Sequence, residues 1–330
     1  MLKALTAIAA GTLLALAASL NLGSGPKPSE TQPAASARKP RIGVSIPAAD
    51  HGWTAGVGWW ARKAAALYPD CEWTIVTANG PQKQIADIET MMARGIDALV
   101  VLATESGPLT PVARAAHERG IFIVNVDRGF LEPVADIFLE GDNKAFGRKS
   151  AEYMAQRLGG KGNIVILTGI PCTVDTDRVN AAKEVFARHP GITILDTQRG
   201  DWNRQKALEV TETLLTKHPK IDAIWAQDDD MLVGVLQALR EKGRDKGVWV
   251  FGGAGMKDVV KMVMEKDPLV PADITYPPSM IATGIHLANS VMAGGKRAEV
   301  MQFMPRHLMI DVELITPENA RQYYFPESVY

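Results

Sequence analysis

The most suggestive residues for chemistry are Asp127 and Arg128, which follow a continuous apolar run at residues 121–124. Such runs are typical of strands buried on both faces of a parallel sheet. In open parallel sheets, ligands bind just beyond the carboxyl ends of the strands. A carboxylate offers two acceptor oxygens and a guanidinium offers a rigid fork of donors, so this pair can hold vicinal hydroxyls. A local ion pair, or an aspartate that stabilises a turn, is the alternative interpretation.

The elements that would position this pair alternate between strands and helices from residue 41 onward. Short apolar runs predict strands, and segments such as the one carrying Ile85, Ile88 and Met92 on one face predict helices between them. The same alternation starts again after Asp142, which can cap a helix. The fold class predicted from this pattern is α/β, with two doubly wound parallel-sheet lobes whose strand ends face each other across a cleft.

The predicted boundaries divide the 330 residues into a leader and two lobes. Residues 1–40 form a signal peptide and linker, residues 41–141 plus 277–305 form lobe one, and residues 142–276 plus 306–330 form lobe two. The chain is expected to cross between the lobes near Asp142, Tyr276 and Pro305. Residues 269–274 and 308–315 are each predicted as one strand, and a helix is predicted from Asp177.

The N-terminal residues carry an export signal. Lys3 gives a basic start, residues 4–20 are uncharged and rich in Ala and Leu, and residues 21–40 are rich in Pro, Ser, Ala and Gly. These are the parts of a secretory signal, with cleavage after either Ala17 or Ala37. A membrane anchor of about 17 residues is the alternative, and that length is marginal for spanning a bilayer. We therefore expect a periplasmic protein.

Composition excludes several classes of protein. The chain is 46% hydrophobic and 22% charged, which predicts a folded protein with a large core. A net charge of −1 argues against a nucleic-acid binder that relies on a strongly basic surface. The two cysteines, Cys71 and Cys172, fall in different predicted lobes, and we expect them to be free thiols.

Two motifs could be mistaken for a nucleotide-binding site and a metal site. The glycines of residues 56–61 fit a dinucleotide pattern, but they fall inside a predicted helix rather than in the turn before it, so close helix packing is the better explanation. Asp228, Asp229 and Asp230 begin a helix after a strand. We interpret Asp229 or Asp230 as the cap and Asp228 as a cleft residue, and we expect no metal site and no cofactor.

Three further side chains fall on predicted strand-end loops. Trp53 and Trp202 are placed where aromatic rings can stack on the apolar faces of sugars, with ordinary packing as the alternative. No sequence pattern supplies His51 with a nucleophile or an acid partner, so we interpret it as a loop or ligand-contact residue rather than a catalytic one.

Together these residues resemble the periplasmic sugar-binding proteins of ABC importers, the group typified by ribose-binding protein. The resemblance runs from about residue 41 to about residue 316. It depends on four pieces of sequence: residues 126–128, residues 140–143 with Gly147, residues 225–229 with Met231 and Gly234, and residues 251–253. It implies two lobes joined by three hinge strands that close on one ligand, no catalysis, and a monomer.

The resemblance also implies a binding site. The positions predicted to contact the ligand are Asp50, His51, Trp53, Asp127, Arg128, Arg178, Trp202, Asp228 and Tyr276. Ribose-type members carry Asn at the place of Asp228 and Gln at the place of Tyr276. They carry Asp where this chain has Ala254, and their first loop is about one residue shorter. These departures favour a different sugar or a linear polyol over ribose.

The resulting hypothesis is an exported solute-binding protein, not an enzyme, that delivers a sugar or polyol to the membrane subunits of an ABC permease. The alternative is a periplasmic sensor that presents its ligand to a chemoreceptor or a histidine kinase. A DNA-binding repressor of the same core would need a DNA-reading domain where this chain has its export signal. A nicotinamide dehydrogenase is disfavoured by the misplaced glycines.

Overall fold

The computed structural model describes residues 38–49, 51–295 and 297–330. The predicted secretion signal, with both candidate cleavage sites, and the predicted ligand contact Asp50 lie outside the described residues. In the part of the chain that is described, no helix has both the length and the apolarity needed to cross a bilayer.

The first sheet consists of parallel strands with helices on both sides. Its elements in chain order are β1 (Arg41–Pro47), α1 (Gly52–Ala65), β2 (Glu72–Ala78), α2 (Pro81–Ala93), β3 (Ala98–Val101), α3 (Ser106–Glu118), β4 (Phe122–Val126) and β5 (Ile137–Gly141). A later strand, β11 (His307–Ile310), completes the order β11-β5-β4-β3-β1-β2. The central strands β3 and β4 are buried along their whole length, as their continuous apolar sequences predict.

The second sheet repeats this arrangement with four parallel strands. Its elements are α4 (Asn143–Arg157), β6 (Lys161–Thr168), α5 (Thr173–Phe186), β7 (Gly191–Arg199), α6 (Arg204–Lys217), β8 (Ala223–Trp225), α7 (Asp229–Glu241), β9 (Trp249–Phe251) and α8 (Lys257–Met264). The strand order is β7-β6-β8-β9. All strands within each of these sheets are parallel, so the carboxyl ends of the strands in each lobe lie on one edge. The predicted doubly wound α/β fold class is confirmed.

The remaining elements connect the two sheets. They are β10 (Asp273–Ile274), α9 (Met280–Met292), α10 (Arg297–Phe303) and β12 (Leu314–Ile315). β10 and β12 pair with each other in an antiparallel ribbon. α9 packs on α1, β3 and β4, so the chain returns to the first lobe after β10.

The prediction of one strand over residues 308–315 is wrong. β11 pairs with β5 in the first sheet, whereas β12 pairs with β10, and the chain crosses between them. Asp311 interrupts the ladder because its carboxylate accepts the N–H of Val312 at 2.8 Å. β11, which follows Pro305, thus still belongs to the first sheet. The predicted strand at residues 269–274 is also shorter, because the N–H of Val270 turns back to the carbonyl of Asp267.

Glycines let several helices approach their neighbours closely. Gly56 lies inside α1, where an added Cβ would come within 2.9 Å of Pro278, so close packing explains the dinucleotide-like pattern as predicted. Gly147 lies in α4, where an added Cβ would collide with the carbonyl oxygen of Arg178 on α5. This second contact fixes the helix that carries Arg178.

We predict that Gly147→Ala lowers the free energy of unfolding by about 1–3 kcal/mol, because backbone stands where the new methyl would go. The measurement is the urea unfolding midpoint. Gly58→Ala in α1 is the matched control, since its nearest neighbour is the guanidinium of Arg62 at 3.6 Å and alanine favours the helix. Equal midpoints for the two variants would contradict the prediction.

Candidate ligand-binding site

A small cavity lies between the strand ends of the two lobes. Eight of the nine predicted site residues line it, and the ninth, Asp50, lies outside the described residues. The lining consists of His51, Trp53, Asp127, Arg128, Val174, Arg178, Trp202, Asp228, Ala254 and Tyr276.

Asp127 follows β4 in a left-handed conformation, with φ of 67°. Its N–H donates to the carbonyl of Leu139, and the Asn125 side chain bonds the backbone of Arg128 and Phe130, so the turn is held from both sides. The Tyr276 hydroxyl donates to Asp127 Oδ1 at 2.5 Å. The second carboxylate oxygen lies 3.7 Å from Arg128 Nε, which is an ion pair without a close hydrogen bond.

Arg128 is held at one end of its guanidinium. Its Nη1 donates to the carbonyls of Ala103 and Thr104 at 3.1 Å each, just beyond the end of β3. Its Nε is buried and has no hydrogen-bond partner among the residues described. The guanidinium carbon lies 5.0 Å from the ring centre of Trp202, which belongs to the other lobe. Arg128 therefore combines a fixed side with a side that can still donate.

Arg178 is the corresponding cation of the second lobe. It lies on α5, where Nε donates to Asn143 at 3.0 Å and Nη1 donates to the carbonyl of Gln227 at 3.1 Å. Its guanidinium carbon lies 3.7 Å from the ring centre of Phe146 and 4.3 Å from that of Tyr276. The aromatic faces and the two acceptors orient this buried charge toward the cavity.

The three aspartates at the start of α7 have separate tasks. Asp228 caps the helix by accepting the N–H of Met231 at 3.0 Å, and it also lines the cavity. Asp229 accepts the N–H groups of Gly253 and Met256, which fixes the loop after β9. The prediction that Asp229 or Asp230 is the cap is therefore wrong. The cap is the residue before the first helical turn, in an extended conformation, and here that residue is Asp228.

The two predicted stacking tryptophans are both buried at the cavity. Trp53 donates its indole N–H to the carbonyl of Tyr276 at 2.9 Å. Trp202 has a left-handed backbone, with φ of 53°, and packs where Gly169 leaves room, because a Cβ there would overlap the indole. The hinge residue Tyr276 lies between Trp53 and Phe146, with ring centres 6.1 and 5.9 Å away.

Val174 also lines the cavity, although the sequence analysis did not select it. The structure starts α5 at Thr173, whereas the sequence suggested Asp177, so Val174 was placed in a loop of no assigned role. Ala254 contributes its methyl group at φ of 120°, where an L-residue is strained. Strained positions of this kind cluster at ligand sites, and Asp127, Trp202 and Ala254 all line this one.

The lobes also contact each other directly. The N–H of Gly52 in α1 donates to Asp230 Oδ2 of α7 at 2.7 Å. On the other side of the cavity, the N–H of Gly129 donates to the hydroxyl of Thr173 at 3.0 Å. The ring of Tyr330 lies against Gly52, since a Cβ added to this glycine would contact it. The ring therefore covers the hydrogen bond between Gly52 and Asp230. With these direct contacts, the two lobes are in a closed arrangement.

Burial controls the charges of the site. It raises the pKa of Asp127 and is opposed first by Arg128 and then by the Tyr276 hydroxyl. It raises the pKa of Asp228 to about 7, with His51 as the main opposing group. Asp228 therefore carries a partial negative charge near neutral pH, which a ligand donor would increase.

Two further buried carboxyl groups, those of Asp229 and Asp273, form a pair that supports the hinge. Burial raises the pKa of Asp273 well above its ordinary range, and burial raises that of Asp229 to about 6. A hydrogen bond between the two carboxyl groups raises the pKa of Asp273 further and lowers that of Asp229. Asp273 Oδ2 accepts the N–H of Gly255, so the pair joins β10 to the loop after β9.

Two parallel-sheet lobes that close on a polar cavity define a two-lobed ligand-binding protein. Residues 42–296 match the periplasmic binding protein domain, and the chain belongs to that family. Its resemblance to the ribose-binding group is confirmed by a ribose import binding protein of Salmonella typhimurium, which is 30% identical over 220 residues, or 66% of this chain and 73% of that protein.

Two other proteins extend the comparison. The xylitol-binding protein of Mycolicibacterium smegmatis is 30% identical over 218 residues, which are 66% of this chain and 62% of that protein, so the match spans less than two thirds of that relative. An ABC transporter solute-binding protein from Mycobacterium smegmatis, solved with bound glycerol, superposes with a TM-score of 0.79 at 28% identity, covering 87% of this chain and 98% of that one.

We predict that the free energy of unfolding falls as the pH rises from about 4 through about 6, because the folded protein holds protons on Asp229 and Asp273 that the unfolded chain releases. Asp273→Asn keeps a donor toward Asp229 without a titrating proton. The variant should therefore show a shallower fall, measured as the urea midpoint at several pH values. Asp258→Asn, at an exposed carboxylate of α8, is the control and should keep the steep fall.

Proposed function

We propose that this protein is an exported solute-binding protein that captures a sugar or polyol between its lobes and delivers it to an ABC permease. The observation that carries the proposal is the cavity itself, in which two carboxylates and two guanidinium groups are buried together. Asp127, Arg128, Arg178 and Asp228 are each no more than 5% exposed. Such groups in a small closed space are suited to many short hydrogen bonds with hydroxyls.

The balance of charge favours a neutral ligand. A donor on the ligand favours the ionised form of Asp228, and the carboxylates of Asp127 and Asp228 then offset the charges of Arg128 and Arg178. An anionic or cationic solute would leave a buried charge uncompensated. A hydroxyl both donates and accepts, and so can bond a carboxylate oxygen and a guanidinium N–H in turn. The indole faces of Trp53 and Trp202 would cover the apolar C–H groups of such a ligand.

The relatives support the same ligand class. Their names and titles refer to xylitol, ribose and glycerol, which are neutral and rich in hydroxyls. Ala254 takes the place where ribose-type members carry a carboxylate, and its methyl group lines the cavity here. This difference favours another sugar or a linear polyol over ribose.

The proposed mechanism is closure of two bodies on the ligand. We assign residues 41–141 plus 277–310 to one body and residues 142–276 plus 311–330 to the other, because β11 pairs in the first sheet and β12 pairs with β10. A ligand that bonds Asp127 on one lobe and Arg178 on the other stabilises the closed state by its differential affinity for that state. The closed form is the one presented to the permease.

The remaining parts of the proposal concern location and partners. We expect a monomer in the periplasm, exported through a cleaved N-terminal signal, with no catalytic activity. A sensor that presents its closed form to a chemoreceptor or a histidine kinase is the alternative. Binding to a receptor ectodomain only in the presence of ligand would favour the sensor.

A thermal-shift screen of the mature protein against pentoses, hexoses, sugar acids and polyols tests the proposed function. A ligand at 100 times its dissociation constant should add about 2.7 kcal/mol to the free energy of unfolding. A hit among neutral sugars or polyols is expected. Stabilisation by sugar acids alone would contradict the argument from charge, and no hit in any class would contradict the proposed ligand class.

For the ligand found in that screen, Asp127→Ala and Arg178→Ala should each weaken binding at least tenfold, measured by calorimetry. Each change removes one partner and leaves other buried polar groups unpaired. Arg188→Ala is the control, because that side chain is 65% exposed beyond the end of α5. Unchanged affinity in both site variants would refute the site.

A further inference from the structure

A second, larger cavity adjoins the first. The two cavities share three wall residues, His51, Arg128 and Trp202. The second cavity is also lined by both lobes, since Ala48 and Thr104 come from the first lobe and Ile170 from the second. The lobes thus close over the first cavity while leaving a larger space beside it, and the three shared side chains stand at the boundary between the two.

The walls of the second cavity hold a polar side chain that lacks a partner. Thr104 is only 7% exposed, yet its Oγ1 has no hydrogen-bond partner among the residues that the structure describes. The large majority of buried side-chain polar atoms in proteins are hydrogen-bonded. An unpaired hydroxyl at a cavity wall therefore indicates a missing hydrogen-bond partner. The backbone carbonyl of Thr104 already accepts a hydrogen bond from the guanidinium of Arg128.

The first turn of α2 opens onto the same space. Asn79, Gly80 and Pro81 line it, and the helix begins with Gly80 as the N-cap. Glycine has no side chain that could accept from the N–H groups of the first turn. The first turn of α2 therefore has no side-chain cap at this end of the cavity.

The charges around the second cavity do not select an ion. Arg128 contributes a positive charge and Glu105 a negative one, while Asp201 is paired with Arg199 at 2.7 Å. Apolar surface from Pro47, Ala48 and Ile170 lies among these polar groups. This mixture of paired charge, hydroxyl, amide and apolar wall suits a neutral unit with several hydroxyls.

We propose that the second cavity is a subsite for a second neutral, hydroxyl-rich unit joined covalently to the unit in the first cavity. The ligand class is then a two-unit glycoside, such as a disaccharide or a glycosylated polyol. This inference rests on the proposed function, and it narrows the ligand of that site.

Calorimetry with matched pairs tests the subsite. The pairs are xylose with xylobiose, glucose with maltose, and glucitol with maltitol. In at least one pair the two-unit compound should bind at least tenfold more tightly than the one-unit compound. Equal or weaker binding of the two-unit compound in every pair would overturn the subsite, while binding of the one-unit compounds would leave the proposed function standing. Binding of none of the six would count against both.

Two variants separate the subsite from the first cavity. Thr104→Val removes the unpaired hydroxyl but keeps the carbonyl that holds Arg128, and Ala48→Phe fills part of the second cavity. Both should reduce the advantage of the two-unit compound at least fivefold and leave the affinity for the one-unit compound within twofold. Thr90→Val, at an exposed position of α2, is the matched control. Retention of the full advantage in both variants would refute the assignment.

Discussion

The burial of charge between the lobes is the constraint on which the rest of the site depends. An unpaired charge in such a place is so costly that each one must be surrounded by partners. Arg178 shows how the fold meets this demand, with Asn143 from the start of α4 and the carbonyl of Gln227 before α7 as its acceptors. These two acceptors lie at the starts of two different helices, so one guanidinium on α5 joins α5 to the starts of α4 and α7.

The same constraint explains the unusual backbone of the site. Asp127, Trp202 and Ala254 adopt left-handed conformations that cost free energy in ordinary residues. Each is held by its surroundings: the turn at Asp127 by Asn125, the indole of Trp202 by the open space at Gly169, and Ala254 by its hydrogen bond to Ile274. Rigid supports of this kind keep the polar atoms in place before a ligand arrives, which reduces the ordering cost of binding.

Much of this molecule can be predicted from sequence because its strands are short, apolar and regularly spaced. Asp127, Trp202 and Asp228 each follow a strand, and the rule that ligands bind at strand ends was enough to place them together. Local patterns failed where long-range pairing decides the outcome. Residues 308–315 look like one strand, but their two halves belong to different sheets. Val174 was missed because the first turn of α5 contains little that distinguishes it from a loop.

The hydrogen bond from Gly52 to Asp230 contributes to the free energy of lobe closure. It joins the lobes through protein atoms alone, as does the bond from Gly129 to Thr173. Part of the free energy of closure is therefore present before a solute enters, which raises the resting fraction of closed molecules. A larger resting fraction raises the apparent affinity, because less of the binding energy is used to shift the equilibrium. The same bonds must break for release, so tighter capture is coupled to slower unloading at the membrane.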